Sequence, residues 1–190
     1  MMKNGTVLIA IGKDTALGDL TKKLDAIRST ASRAVVLVIG KVPAFPFYAV
    51  GVPPYGGLDF PEEWHQQVSA QKSALHAKAD EVEHLLSQHN VPGEVTTIAC
   101  EAAEVDQAIA RRAMLCDIAM IGDDLRAHDT LFGRIVDGIL FQSPVGLLLN
   151  DTDGKVLAGP KRIFVAWNVQ LHSAQAVHRA LGMLRRADEV

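Results

Sequence analysis

Cysteine is nearly absent: the 190-residue chain has two, Cys100 and Cys116, too far apart for a CxxC pair. No disulfide framework follows from them, and structural thiols in a reduced cytoplasmic protein are the expectation. No hydrophobic run approaches membrane-spanning length. The short apolar stretch Val7–Ile11 does not make a signal peptide. Basic runs are lacking as well. The net charge is −3, which excludes a globally basic nucleic-acid binder, and Arg111-Arg112 and Arg185-Arg186 read as solvated helix faces. There is no GxSxG elbow, and neither Ser143 nor Thr130 has a neighbouring base, so hydrolase chemistry has no support. His65, His76 and His84 share one helical segment without a tight ligand spacing. His128 and His172 lack a positioned partner. No catalytic residue and no metal site is expected.

What is there is alternation. Five apolar runs of strand length recur: 6–11, 34–39, 95–100, 117–121 and 145–149. None alternates polar with apolar, as expected for strands covered on both faces. Between them lie segments of helical period. Leu17, Leu20, Leu24 and Ile27 share one face, and Asp14 or Thr15 is placed to cap that helix. Asp59, Pro61, Glu62 and Glu63 open a long helix with the stripe Trp64, Val68, Leu75, Val82 and Leu86, in which Trp64 reads as a core anchor. Val91-Pro92-Gly93 ends it. Val105, Ile109 and Ala113 mark a short helix, and Leu131 to Leu140 a further one. Strict strand–helix alternation implies βαβ crossovers: an α/β fold with a doubly wound, open, five-stranded parallel sheet and helices on both faces.

A partial repeat follows. After the polar segment 151–161, Ile163-Phe164-Val165-Ala166-Trp167 restates the first strand, and Ala174, Val177, Leu181 and Leu184 restate the spacing of the first helix. Residues 1–150 thus read as a complete domain, 151–161 as a linker, and 162–190 as the strand and helix that open a second, truncated copy. A lone strand and helix cannot bury their apolar faces unaided, so they are expected to pack on the first domain or on a neighbouring chain, or else to be poorly ordered.

In an open parallel sheet, ligands bind beyond the carboxyl ends of the strands. Two loops qualify. Gly12-Lys13-Asp14 follows the first strand, and Gly122 to Arg126 follows the fourth and leads to Gly133-Arg134. Val7–Ile11, Asp117–Gly122, Gly133–Pro144 and, above all, Arg162–Ala187 with Val165-Ala166-Trp167-Asn168 are similar to the universal stress protein family in its tandem form. The resemblance covers the whole chain. It implies an adenine-nucleotide α-hydrolase-like fold, dimerisation through the last strand and, in many members, ATP as the bound cofactor. Val38 and Ile39 would then line an adenine site.

The nucleotide signature is broken here. Gly122 matches its first glycine, but Leu125 replaces the second, the spacer to Gly133 is two residues short, and Arg134 stands where a hydroxyl residue belongs. Gly12 occupies the place of the carboxylate that usually follows the first strand, and Asn168 that place in the second copy. Asp123 and Asp124 add negative charge where phosphates would lie. The resemblance therefore implies a stress-response binding and dimerisation module, a homo-oligomer with a degenerate nucleotide site and no nucleic-acid or membrane partner. The alternative is an ATP-binding protein, with slow hydrolysis, that uses Lys13, Arg126 and Arg134 to hold phosphates. The long Lys41–Phe60 connection, rich in proline and aromatics, would contact the second domain or another subunit, act as a lid, or be a disordered loop. A metabolite site on that loop is the third reading.

Overall fold

The computed structural model describes residues 5–44 and 61–190. Within them, five strands form one parallel sheet in the order β3-β2-β1-β4-β5: β1 Thr6–Ile11, β2 Arg33–Lys41, β3 Gly93–Cys100, β4 Ile118–Ile121 and β5 Gly146–Leu148. The helices are α1 Leu17–Ser29, α2 Glu62–Gln88, α3 Val105–Ala113, α4 Asp123–Arg126, α5 Asp129–Gln142, α6 Lys155–Ala158 and α7 Leu171–Leu184. The doubly wound α/β architecture is as expected from the alternation. None of the described helices is long and apolar enough to cross a membrane.

β1 is central because its side chains from Val7 to Ile11 are all apolar and have layers to enter on both sides. Val7, Ile9 and Ile11 point into one core with Leu20, Leu24 and Ile27 of α1 and Leu75, Val82 and Leu86 of α2. Leu8 and Ala10 point the other way, into a core with Ile109 of α3 and Ile135 and Ile139 of α5. Val7 through Ala10 have no solvent exposure at all. This explains the unbroken apolar runs: a strand buried on both faces has no position for a polar side chain.

Local geometry departs from the sequence reading in three places. Neither Asp14 nor Thr15 caps α1: the helix begins at Leu17, its N-cap is Ala16, and no side chain bonds there. Thr15 lies one residue too early, and its buried Oγ1 has no hydrogen-bond partner among the described residues. Trp64 is half-buried at the rim, not in the core, and its indole N–H donates to the Pro43 carbonyl at 3.1 Å. The helix-opening role read for Asp59, and the lid, partner and metabolite-site readings of the 41–60 connection, fall on 45–60 and lie outside the described residues, apart from 41–44.

The third departure lies in the segment read as the start of a second copy. Its helix forms as α7, with Ala174, Val177, Leu181 and Leu184 all half-buried. Its strand does not form. Residues 163–167 have no neighbouring strand to supply a ladder, and a single bridge, Arg162 to Glu189, is all that is made. Phe164 is 92% exposed and Trp167 59%. α7 packs instead beside β5, where Gly146 has no side chain and a Cβ would come within 3.2 Å of Arg179 Cβ. Arg179 donates to the Ser143 carbonyl at 3.3 Å.

Residues 151–161, read as a linker, hold the packed turn α6. The buried Asp151 carboxylate accepts the Val156 and Leu157 amide N–H groups at 3.1 and 2.9 Å. Leu157 enters the α1/α2 core. Gly154 adopts φ 69°, in the left-handed region, within 3.0 Å of the Lys22 carbonyl of α1 by its missing Cβ. Arg186 donates to the Leu157 and Ala158 carbonyls at 2.9 and 3.2 Å, so the end of α7 closes the end of α6.

Two glycines of α5 carry opposite predictions. A Cβ on Gly138 would lie 2.6 Å from Ile109 Cγ2 and 2.9 Å from Asp106 Cα, so α3 and α5 touch only because it is glycine. Gly133 has nothing within 4 Å of that position. Gly138→Ala should destabilise by about 1–3 kcal/mol through overpacking. Gly133→Ala should stabilise by up to about 1 kcal/mol through helix propensity. Urea unfolding of both variants checks the signs.

Candidate functional site

The strand order reverses direction between β1 and β4: from β1 the chain moves outward to β2 and β3, then crosses to β4 and β5. Loops leaving β1 and β4 therefore part at this point and leave a crevice at their carboxyl ends. A cleft of about 510 Å³ lies there, within the range of small-molecule sites.

Its lining comes from four directions. Gly12, Lys13 and Asp14 leave β1, and Ile39, Gly40 and Lys41 end β2. Gln71 reaches in from α2. Asp124 and Leu125 of α4, with His128 to Leu131 at the start of α5, complete the far wall. Two lysines thus share the cleft with three carboxylates, those of Asp14, Asp124 and Asp129.

Asp124 sits closest to the strand ends. A Cβ on Gly12 would clash with its Oδ2, and one on Gly122 would lie 2.8 Å from its Oδ1. The carboxylate lies over both glycines. The space that a side chain at position 12 would fill is thus occupied by a carboxylate from another loop. Its Oδ1 is buried and has no hydrogen-bond partner among the described residues, an arrangement that costs stability unless something donates to it.

The other expected phosphate ligands lie elsewhere. Arg126 does not line the cleft: its guanidinium hydrogen-bonds Asn150 Oδ1 beyond β5, and its Nε is 3.6 Å from Asp123. Arg134 is turned toward α3, 3.5 Å from the Asp106 carboxylate. That carboxyl is held below its ordinary pKa chiefly by the Gln107 amide N–H, with Gln142 and Arg134 assisting against partial desolvation. Gly133 is on α5, away from the lining. Val38 points into the α1/α2 core, whereas Ile39 faces the other way and reaches the cleft. Gly122 lies under Asp124. Of the nine sequence candidates, the fold brings Gly12, Lys13, Asp14 and Ile39 together at the cleft, with Gly122 next to Asp124 but not in the lining.

The sequence reading missed Gly40 and Asp129 of the lining, and also Gln71. A signal existed: it lies three residues after Val68 and four before Leu75, so it is the polar break in the apolar stripe of α2. Asp124 was read as added negative charge only, because nothing in the sequence shows that it reaches back to Gly12. Among the described residues, no group of three His, Cys, Asp or Glu side chains is placed to hold a metal ion.

No family model matches the chain, and no curated protein matches it. Among solved structures, it is similar to a protein from the universal stress protein family of Burkholderia pseudomallei. The TM-score is 0.51 at 14% identity, over 78% of this chain and 97% of that chain. At that identity the likeness is one of fold.

Neither cysteine belongs to the cleft, and neither is set up as a nucleophile. Burial raises the Cys100 thiol first, with Glu104 and Asp106 adding to it. Burial together with Asp117 and Glu94 pushes Cys116 up to about 11, against a small opposing effect of Arg33. A raised thiol pKa keeps the proton on at neutral pH, so at pH 8 roughly one Cys116 in a thousand would be thiolate. Iodoacetamide labelling followed by mass spectrometry should show Cys116 at least about tenfold slower than a free thiol at pH 8, with the rate rising steadily to pH 10.

Proposed function

We propose that this chain is a universal-stress-type module that works by binding and assembly and has no catalysed reaction of its own, its ancestral nucleotide site being degenerate. The observation that carries this reading is the disposition of charge at the cleft. Asp124 covers the two glycines through which a phosphate would approach the backbone, and Arg126 and Arg134 are committed to Asn150 and Asp106. A triphosphate placed here would meet three carboxylates with only Lys13 and Lys41 to offset them. The fold shared with a universal stress protein supports the family reading. Assembly is proposed to run through β5, the outermost strand on its side, and the segment after it. Phe164, Val169 and Leu171 are 92%, 94% and 69% exposed, and such apolar surface on soluble proteins marks interaction sites.

Two measurements test this. Calorimetric titration with ATP and Mg²⁺ should give no saturable binding below millimolar concentrations. Micromolar affinity that is lost on Lys13→Glu would overturn the degenerate-site reading in favour of an ATP-binding protein. Light scattering after size exclusion should find a dimer that Trp167→Glu with Val169→Glu converts to monomer. A wild-type monomer at micromolar concentration would sink the assembly reading.

A further inference from the structure

α7 and the residues after it are held to the sheet by contacts that a second copy of the chain could make just as well. Gly146 of β5 leaves room for the α7 backbone, since a Cβ there would lie 3.2 Å from Arg179 Cβ. Arg179 donates to the Ser143 carbonyl at 3.3 Å, and Arg186 to the Leu157 and Ala158 carbonyls at 2.9 and 3.2 Å. The Ile163 amide N–H donates to the Glu189 carbonyl at 2.9 Å, and the Glu189 carboxylate pairs with Arg162. All of these contacts join 171–190 to residues no later than Ile163. α7 has no fully buried residue, whereas Leu20, Leu24 and Ile27 of α1 are completely enclosed. Lifting α7 from the sheet therefore opens little of the core, which places it at the low-stability end of the structure.

The connection 164–170 is what keeps α7 on its own chain, and it is poorly satisfied there. It forms no ladder, and Phe164, Trp167 and Val169 stand largely in solvent. Extended, its seven residues span about 23 Å, enough to carry α7 across a twofold axis to a neighbour. Two connections exchanged in this way run past each other in opposite directions. Each can then offer the other the backbone partners and apolar cover that it lacks alone. The contacts of 171–190 are the same in either arrangement, so their energies cancel and the paired connections favour the exchanged one. We infer that the chain dimerises by reciprocal exchange of α7, the helix of each copy docking over Gly146 and Ser143 of the other. The inference rests on the assembly reading, and it adds which surfaces meet. It also fixes the partner as a second copy, because the exchange needs both the β5 site and an α7 to fill it.

Paired cysteines test this. Arg162 and Glu189 are bridge partners with exposed side chains. Their Cα atoms stand about 5 Å apart, one strand spacing, within the range of a disulfide. The connection lies between them in sequence, so a disulfide at this bridge closes within one chain if α7 stays at its own β5, and joins two chains if it is exchanged. The full chain carrying Arg162→Cys and Glu189→Cys, with Cys100→Ala and Cys116→Ala to remove the native thiols, is oxidised with copper phenanthroline at micromolar concentration. On a gel run without reductant, the product should shift from the mass of one chain to that of two, and peptide mapping should place the disulfide between positions 162 and 189. A 162–189 disulfide confined to single chains would overturn the exchange, as would the absence of that disulfide. If light scattering still finds a dimer in either case, the assembly reading stands without the exchange, whereas a wild-type monomer removes both.

Discussion

β1 lies hydrogen-bonded between β2 and β4, with Leu8 and Ala10 in one core and Val7, Ile9 and Ile11 in the other. Every layer of the molecule is anchored on that strand. Because it is parallel to both neighbours, each connection must cross a face of the sheet, and the helices that make the crossings are what bury it. Because the crossings leave on opposite faces from β1 and from β4, the strand ends cannot all be roofed. The cleft is the opening that this geometry leaves.

The chemistry of the cleft follows from one exchange at its floor. Position 12 has no side chain, and the carboxylate that fills the space comes from Asp124 across the crevice. An acid supplied from the β4 side places negative charge over Gly122, which makes that loop a poor cradle for an anion. The arginines that could have offset it are drawn away by their own partners: Asn150 and Asp123 hold Arg126, and Asp106 holds Arg134. Lys13 and Lys41 line the same cleft. The result is a cleft of mixed charge, lined by Lys13 and Lys41 and by three carboxylates.

The C-terminal part obeys a different constraint. A helix needs no partner to satisfy its interior backbone groups, whereas a strand does. α7 therefore forms and rests on β5 through Gly146, while 163–167, with the same apolar pattern as β1, makes no ladder and leaves Phe164 in solvent. Asp151 and Arg186 tie the intervening turn to the core, so the segment is docked at its two ends.

Periodicity alone placed all five sheet strands and the major helices within a few residues, because a two-faced parallel sheet demands uninterrupted apolar runs and its crossovers demand amphipathic helices. Gly12, Lys13 and Asp14 were legible as candidate cleft residues because they leave a strand end, where such a sheet opens, whereas Ile39 was implied only by the family resemblance. Side-chain direction was not legible. Whether Arg134 turns to the cleft or to Asp106, whether Asp124 reaches Gly12, and whether Gln71 interrupts a stripe for packing or for a ligand all depend on residues distant in sequence. The sequence by itself determined the layers and where they part. Only the tertiary structure decided which charges meet there, because ion pairs and close approaches are set by the distance between elements, and that distance comes from packing.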